Sequence, residues 1–291
     1  MNNPLPTLVD SATPVGTLWL TIDDGGPDGR SRAVEQYHEG ALRIIRPHYL
    51  DDSGQVSFTI VAVGGGYLGG DVYDQRFRVR DNAQALITTQ SATKIYRTPQ
   101  GPVRQFTEIE VGEHAVLEYL ADQTIAYREA TYHQFTKVKL HPSSTFVLSE
   151  EITPGWHPAG MHFAYDELRL HTEIEDSSTG RLFLLDNLLL NPAQRQGSFG
   201  WTEDYTHSGQ FIVVAPRVDQ ELVDELNQLL GQWPRVHGAA SLLGAPGTEL
   251  KGLLLRTLSN RTEELILLHE QITSLLRQRW RNQPPVNLRK Y

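Results

Sequence analysis

The chain contains no cysteine among its 291 residues. That excludes disulfides, thiolate metal ligands and a thiol nucleophile. A metal would have to be held by His, Asp, Glu or backbone oxygen, a set that suits Ni(II), Zn(II) or harder divalent ions. A basic excess is also missing. The formal net charge is −9, so the electrostatic footprint of a nucleic-acid binder is absent. No apolar run reaches membrane-spanning length. Met1 to Thr13 has neither a basic n-region nor an apolar h-region, so no signal peptide is expected and the expected compartment is the cytoplasm. There is no G-x-S-x-G elbow and no G-x-x-x-x-G-K-[ST] loop.

What the chain does have is concentrated glycine. Gly64, Gly65, Gly66, Gly69 and Gly70 fall within seven positions and end in Asp71. Such a run costs conformational entropy and marks a place where backbone geometry has priority. Gly64, Gly66 and Gly69 match the bare G-x-G-x-x-G spacing, but a dinucleotide site needs a helix to follow. Val72, Gln75, Phe77 and Val79 instead carry strand-type content. A glycine-rich turn with bulges is the plain reading of the block.

From Thr17 to about Pro216 the chain reads as short strands. Thr17–Ile22, Ala41–Ile45, Gln55–Val63, Val72–Arg80 and Ala83–Thr89 are each bounded by Gly, Pro, Asp or Asn. Leu168, Leu170 and Ile174 alternate with Arg169, His171, Glu173 and Glu175, the period of a strand with one wet face. Arg181–Leu190 is more continuously apolar and is expected to be covered on both faces. The fold class is therefore mostly β, as a sandwich, barrel or stack of sheets. No repeat of fixed length is visible, so a regular solenoid is not demanded.

Two helices are expected late in the chain. Asp219 would cap one running to Trp233, and Asn260 with Glu263 would open another running to about Arg281. The second would bury Leu265, Leu268, Ile272, Leu275, Leu276 and Trp280, and its basic end at Arg277, Arg279 and Arg281 would complement the helix dipole. Two short strands are expected within Val236–Leu258. A single domain over 1–291 is expected, with a strand-rich body at about 17–216 and a helix-containing part at about 217–291.

Candidate chemistry is sparse. Glu150 and Glu151 are adjacent and point to opposite faces of a strand, so they form no ready acid/base pair. Glu151 is either partnered or turned toward a polar cavity. Asp186 interrupts an apolar run and needs an arginine, water or an ion. His157, His162 and His171 form the densest histidine region, but Pro158 and Gly160 forbid the helix of a zinc pair there, and a loop pair at the surface is the plain reading.

Three blocks resemble a known family. Gly64-Gly65-Gly66-Tyr67-Leu68-Gly69-Gly70-Asp71 is similar to the G-G-G-x-x-G-G-D signature of the urease accessory proteins called UreD or UreH. Thr88-Thr89-Gln90-Ser91-Ala92-Thr93-Lys94-Ile95-Tyr96-Arg97 resembles their second signature. Leu117-Glu118-Tyr119-Leu120 with Gln123-Thr124-Ile125 resembles their third. The order and spacing also fit, from about Thr17 to Leu288-Arg289-Lys290-Tyr291. Val63 stands where the family usually has proline, and Pro154-Gly155-Trp156-His157-Pro158 departs from its L-G-R-type turn.

The resemblance implies stacked β-sheets in a helical, solenoid-like arrangement with two helices toward the C-terminus. It implies a non-enzymatic scaffold that joins the accessory protein UreF and the GTPase UreG on the urease apoprotein subunits. It implies no tightly bound cofactor, with Ni(II) in transit through an internal channel. By resemblance, Asp71, Glu151 and Asp186 fall on acidic positions of that channel. Gly64, Gly65, Gly66, Gly69, Gly70, Thr89, Lys94, Tyr96, Arg97 and Glu118 fall on motif positions. Two other readings stay open beside it: a carboxylate-dependent all-β hydrolase, and an interaction module that needs no metal.

Overall fold

In a computed structural model, residues 13–25, 28–195 and 202–288 are described. Arg289 to Tyr291 and most of the Met1–Thr13 segment lie outside them. Among the described residues, eighteen strands and three helices follow in chain order. They are β1 (Gly16–Asp23), β2 (Arg32–Gly40), β3 (Leu42–Ile44), β4 (His48–Tyr49), β5 (Val56–Ala62), β6 (Val72–Val79), β7 (Gln84–Thr89), β8 (Thr93–Ile95) and β9 (Val103–Val111). Next come β10 (Val116–Leu120), β11 (Thr124–Ala126), β12 (Thr131–Leu140), β13 (Thr145–Ile152), β14 (Glu167–Asp176), β15 (Arg181–Leu190) and α1 (Pro192–Arg195). The chain then forms β16 (His207–Val214), α2 (Gln220–Leu230), β17 (Val236–Leu243), β18 (Gly252–Ser259) and α3 (Thr262–Arg281).

The chain winds between two sheets in a solenoid-like stack of about four turns. One sheet has seven strands in the order β15-β14-β12-β9-β6-β1-β2. The other has eleven, with the path β17-β18-β16-β13-β10-β7-β5-β3. Along the middle of each sheet the neighbours are parallel, because every coil returns the chain to the same layer in the same direction. Coils of unequal length, with strands starting at 72, 103, 131 and 167, explain why no fixed repeat is visible in the sequence. One apolar core fills the space between the sheets. A second lies between the larger sheet and helices α2 and α3, with Leu226, Leu268 and Ile272 fully buried.

Helix α2 starts as expected: the Leu222 N–H donates to Asp219 Oδ1 at 2.9 Å. It stops at Leu230 rather than Trp233, where Gly231 forms the C-cap. The expected Asn260 cap of α3 is absent. Arg261 occupies the cap position in extended conformation with no side-chain cap bond, and Asn260 Oδ1 instead accepts from the Thr206 hydroxyl at 3.2 Å. Leu275 and Trp280 are only partly buried.

Arg277 also departs from its expected role at the helix end. Its side chain is 1% exposed and lies within a buried ion cluster. Nη1 contacts Glu118 Oε2 at 2.6 Å and Nη2 contacts Asp51 Oδ2 at 2.6 Å, while Arg281 pairs with the other Glu118 oxygen. This cluster clamps α3 to the coils. The reading of β15 is corrected too. It is the edge strand of the smaller sheet, with Leu182 49% and Leu185 56% exposed. Its outward leucines have no further layer from the described residues above them.

Candidate functional site

The middle of each sheet contributes polar side chains to an otherwise apolar interior. Strand register places Gln75, Thr107, Thr136, Thr172 and Asp186 side by side across β6, β9, β12, β14 and β15. The first four are 1–3% exposed. A second short row, Gln105 beside Gln134, lies next to it. The facing sheet supplies Glu150, Gln210 and Arg256 in register on β13, β16 and β18. Parallel stacking places Gln75, Thr107, Thr136 and Thr172 at one height, and antiparallel register extends the row to Asp186 and aligns the facing row.

The two strips meet. Gln134 donates across the gap to one oxygen of Glu150, and Gln210 Nε2 donates to the other at 3.3 Å. Arg256 pairs with Asp186 Oδ1 across the same gap. A cavity of about 110 Å³ opens here, lined by Tyr67, Gln75, Gln105, Tyr119, Gln134 and Glu150 among others. That is room for several waters in polar surroundings. Two buried oxygens in this strip, Gln75 Oε1 and Asp186 Oδ2, have no protein partner among the described residues. Burial pushes the Glu150 carboxyl up to about 7; the Gln134 hydrogen bond opposes the rise, and the charges of Asp186 and Glu151 add to it. Burial also raises the phenols of Tyr67, Tyr119 and Tyr132, which keeps them as neutral donors.

The three expected acidic residues are not brought together. Asp186 ends the strip at the edge strand. Glu151 faces away from it, toward α3, where its Oε1 lies 2.6 Å from His269 Nδ1 and accepts from the Ser149 hydroxyl at 2.7 Å. It still borders the cavity, and with Ala121 and Asp122 it also borders a groove beneath α3. Asp71 lies outside. Its Oδ2 accepts from the Leu68 N–H at 2.8 Å and the Tyr73 hydroxyl at 3.0 Å, so it closes the glycine turn and orients a core tyrosine. Among the described residues, no three or more His, Cys, Asp and Glu side chains form a group that could hold a metal. His157 and His162 form no such pair, and His171 bonds Glu173 at 3.1 Å on the outer sheet face.

Glycine is required in the Gly64–Gly70 loop for two reasons. Gly64, Gly65 and Gly70 have φ of +103°, +82° and +83°. At Gly66 a Cβ would come 2.7 Å from the Tyr96 ring and 2.8 Å from Lys94 O, and at Gly69 it would come 2.8 Å from Thr98 Cα. The loop is thus pressed onto the Lys94–Thr98 segment. Its Gly65 and Gly66 line the cavity beside Thr89 and Lys94. Thr89 is fixed by a reciprocal pair of 2.8 Å bonds with Asp122. Tyr96 donates to Gly65 O at 3.3 Å, and Arg97 pairs with Glu129.

A family model described as "UreD urease accessory protein" matches residues 15–290. A Corynebacterium glutamicum (strain R) protein titled "Urease accessory protein UreD" is 77% identical over 278 residues, covering 96% of this chain and 98% of its own. Proteins with the same title from Arthrobacter sp. (strain FB24) and Bacillus cereus (strain ATCC 10987 / NRS 248) are 48% and 32% identical. The first covers 99% of this chain and 98% of its own length, the second 96% and 99%. The chain belongs to the UreD family of urease accessory proteins.

As a member of that accessory family it is not an enzyme. The UreD signature blocks converge in space: the glycine loop and the segment after it form one wall of the intersheet cavity, and Glu118 from the third block anchors α3. Sequence reading missed Glu150 as the carboxylate that faces the cavity. The alternation of Glu150 and Glu151 was visible, but which of them faced inward depended on the layer packed behind β13. A usable signal was present: Leu148 and Ile152 share the parity of Glu150. No helix among the described residues is long and apolar enough to cross a membrane.

Proposed function

We propose that this UreD family member acts in the cytoplasm as a maturation scaffold, which joins UreF and the GTPase UreG on the urease apoprotein and passes Ni(II) to it along the strip between its two sheets. The observation that carries this reading is the buried polar row ending in Asp186, faced by Glu150 and opening into a polar cavity. A row of buried amides, hydroxyls and carboxylates is expensive unless something polar occupies it. Two oxygens left without protein partners among the described residues support water, and ions with water, as the occupant.

The donors suit cargo in transit. They are all oxygens, and first-row divalent metals such as Ni(II) are held more tightly by imidazole or thiolate. A conducting site must release what it binds. Glu150 and Asp186 are the interior carboxylates of the path, Glu151 borders it, and Asp71 holds the loop at its mouth without lining it. The test is co-expression of the urease subunits and the other accessory proteins with and without this chain. Loss of nickel content and activity on deletion, restored by adding the chain back, is the expected result. Full nickel loading in its absence contradicts the proposal.

A further inference from the structure

Three successive corners of the solenoid carry the same pair of side-chain types, aromatic then basic. Tyr96-Arg97 follows β8, Tyr127-Arg128 follows β11 and Trp156-His157 follows β13. Backbone bonds hold them at matching heights: the Tyr127 N–H donates to Ile95 O at 2.8 Å and the Arg128 N–H to Trp156 O at 3.0 Å. The rings form a ladder, with centroids 4.8 Å apart from Tyr96 to Tyr127 and 4.9 Å from Tyr127 to Trp156.

This ladder is not core. Trp156 is 50% exposed and Leu68 beside it 57%. Together they line an open groove of about 770 Å³. Tyrosine, tryptophan and arginine are the residues that dominate binding energy at protein interfaces. The three rings span about 10 Å, the reach of some three residues of extended chain.

Charge selects the occupant. Arg97 is matched by Glu129. The half-buried Arg128 guanidinium has no hydrogen-bond or ion-pair partner among the described residues. His157 Nδ1 accepts from the Ala159 N–H at 3.0 Å, so Nε2 carries the ring proton and can donate. The groove's own carboxylate, Asp71, is already occupied by Leu68 and Tyr73. An unmatched cation beside an aromatic floor is locally complementary to an acidic ligand with an apolar side chain.

We infer that the Tyr96–Tyr127–Trp156 ladder is the docking site for an extended acidic segment of a partner protein, with an apolar or aromatic side chain across the rings and a carboxylate on Arg128. The ladder shares the glycine loop with the intersheet cavity: Gly65 and Gly66 line the cavity, Leu68 and Gly69 the groove. A segment seated here therefore lies beside the cavity mouth.

The site is tested on the full chain in its complex, and the choice of partner proteins rests on the accessory role proposed above. Tyr127→p-benzoylphenylalanine is photo-cross-linked in complexes formed with the urease apoprotein and the other accessory proteins. The cross-linked segment is then sequenced. The expected product is an Asp- or Glu-containing segment of one of those proteins. Arg128→Glu is expected to weaken capture roughly tenfold, while Arg128→Lys retains most of it. Cross-links confined to a second copy of this chain, to RNA or to a segment without acidic residues overturn the inference. So does capture by Arg128→Glu within about twofold of wild type. Association and nickel loading that both persist in Arg128→Glu sink the docking site and leave the accessory role standing. No association by the wild-type chain overturns both.

Discussion

Glu150 is a carboxylate that burial pushes up to about 7. The sign of its effect on stability follows. The fold prefers the protonated form, so the stabilisation is complete below the unfolded glutamate range and is lost as pH rises through about 7. Wild-type stability is expected to fall between pH 5 and 8 by about 1–3 kcal/mol from this group, toward the lower end where cavity water solvates the carboxylate. Glu150→Gln keeps the shape of the neutral form and should flatten that slope. Thermal denaturation of both proteins across the range checks it; identical slopes would remove Glu150 as the titrating group. At the same scale, the glycine block was legible in sequence as a site of special geometry, and both left-handed φ and close approach to Tyr96 justify it. Which member of the Glu150-Glu151 pair faces the cavity was only partly legible: Leu148 and Ile152 share the parity of Glu150, but α3 covers the other face, where Glu151 meets His269.

At the scale of elements, α3 is held by burial and by charge. Leu268, Ile272 and Leu276 each contribute roughly 1.5–3 kcal/mol by leaving water. The Glu118–Arg277–Asp51 cluster adds a different dependence. Removing Arg277 takes the ion partner from Asp51 and leaves buried Glu118 with Arg281 alone, so Arg277→Ala is expected to destabilise the protein by about 3 kcal/mol, read as a lower denaturation midpoint. A midpoint within about 0.5 kcal/mol of wild type would contradict the clamp. Asp219→Ala removes a cap on α2 and should cost about 1 kcal/mol by the same measurement. The helical apolar face and the Asp219 cap could be read from sequence. The burial of Arg277 could not, because an arginine near a helix end reads as a dipole partner until its cross-chain carboxylate is known. The edge position of β15 was equally hidden. An apolar run looks the same whether this chain or another molecule covers it.

At the scale of the whole molecule, an irregular solenoid explains both what the fold does and why its repeat is invisible. Stacking puts like positions at one height, and that single rule generates the interior polar strip and the exterior aromatic ladder. The exposed leucines of β15 make that edge a self-association hazard. Leu182→Lys with Leu185→Lys is expected to raise the concentration at which the isolated chain stays monomeric, with little change in its denaturation midpoint; light scattering checks it.

Passage of nickel along the strip is tested by the nickel content of urease matured with Glu150→Gln and Asp186→Asn variants of this chain, with the assembled complex isolated alongside. Both variants are expected to give an intact complex and a clear deficit in nickel. Intact complexes that deliver the wild-type amount of nickel would show that the strip between the sheets is not the path.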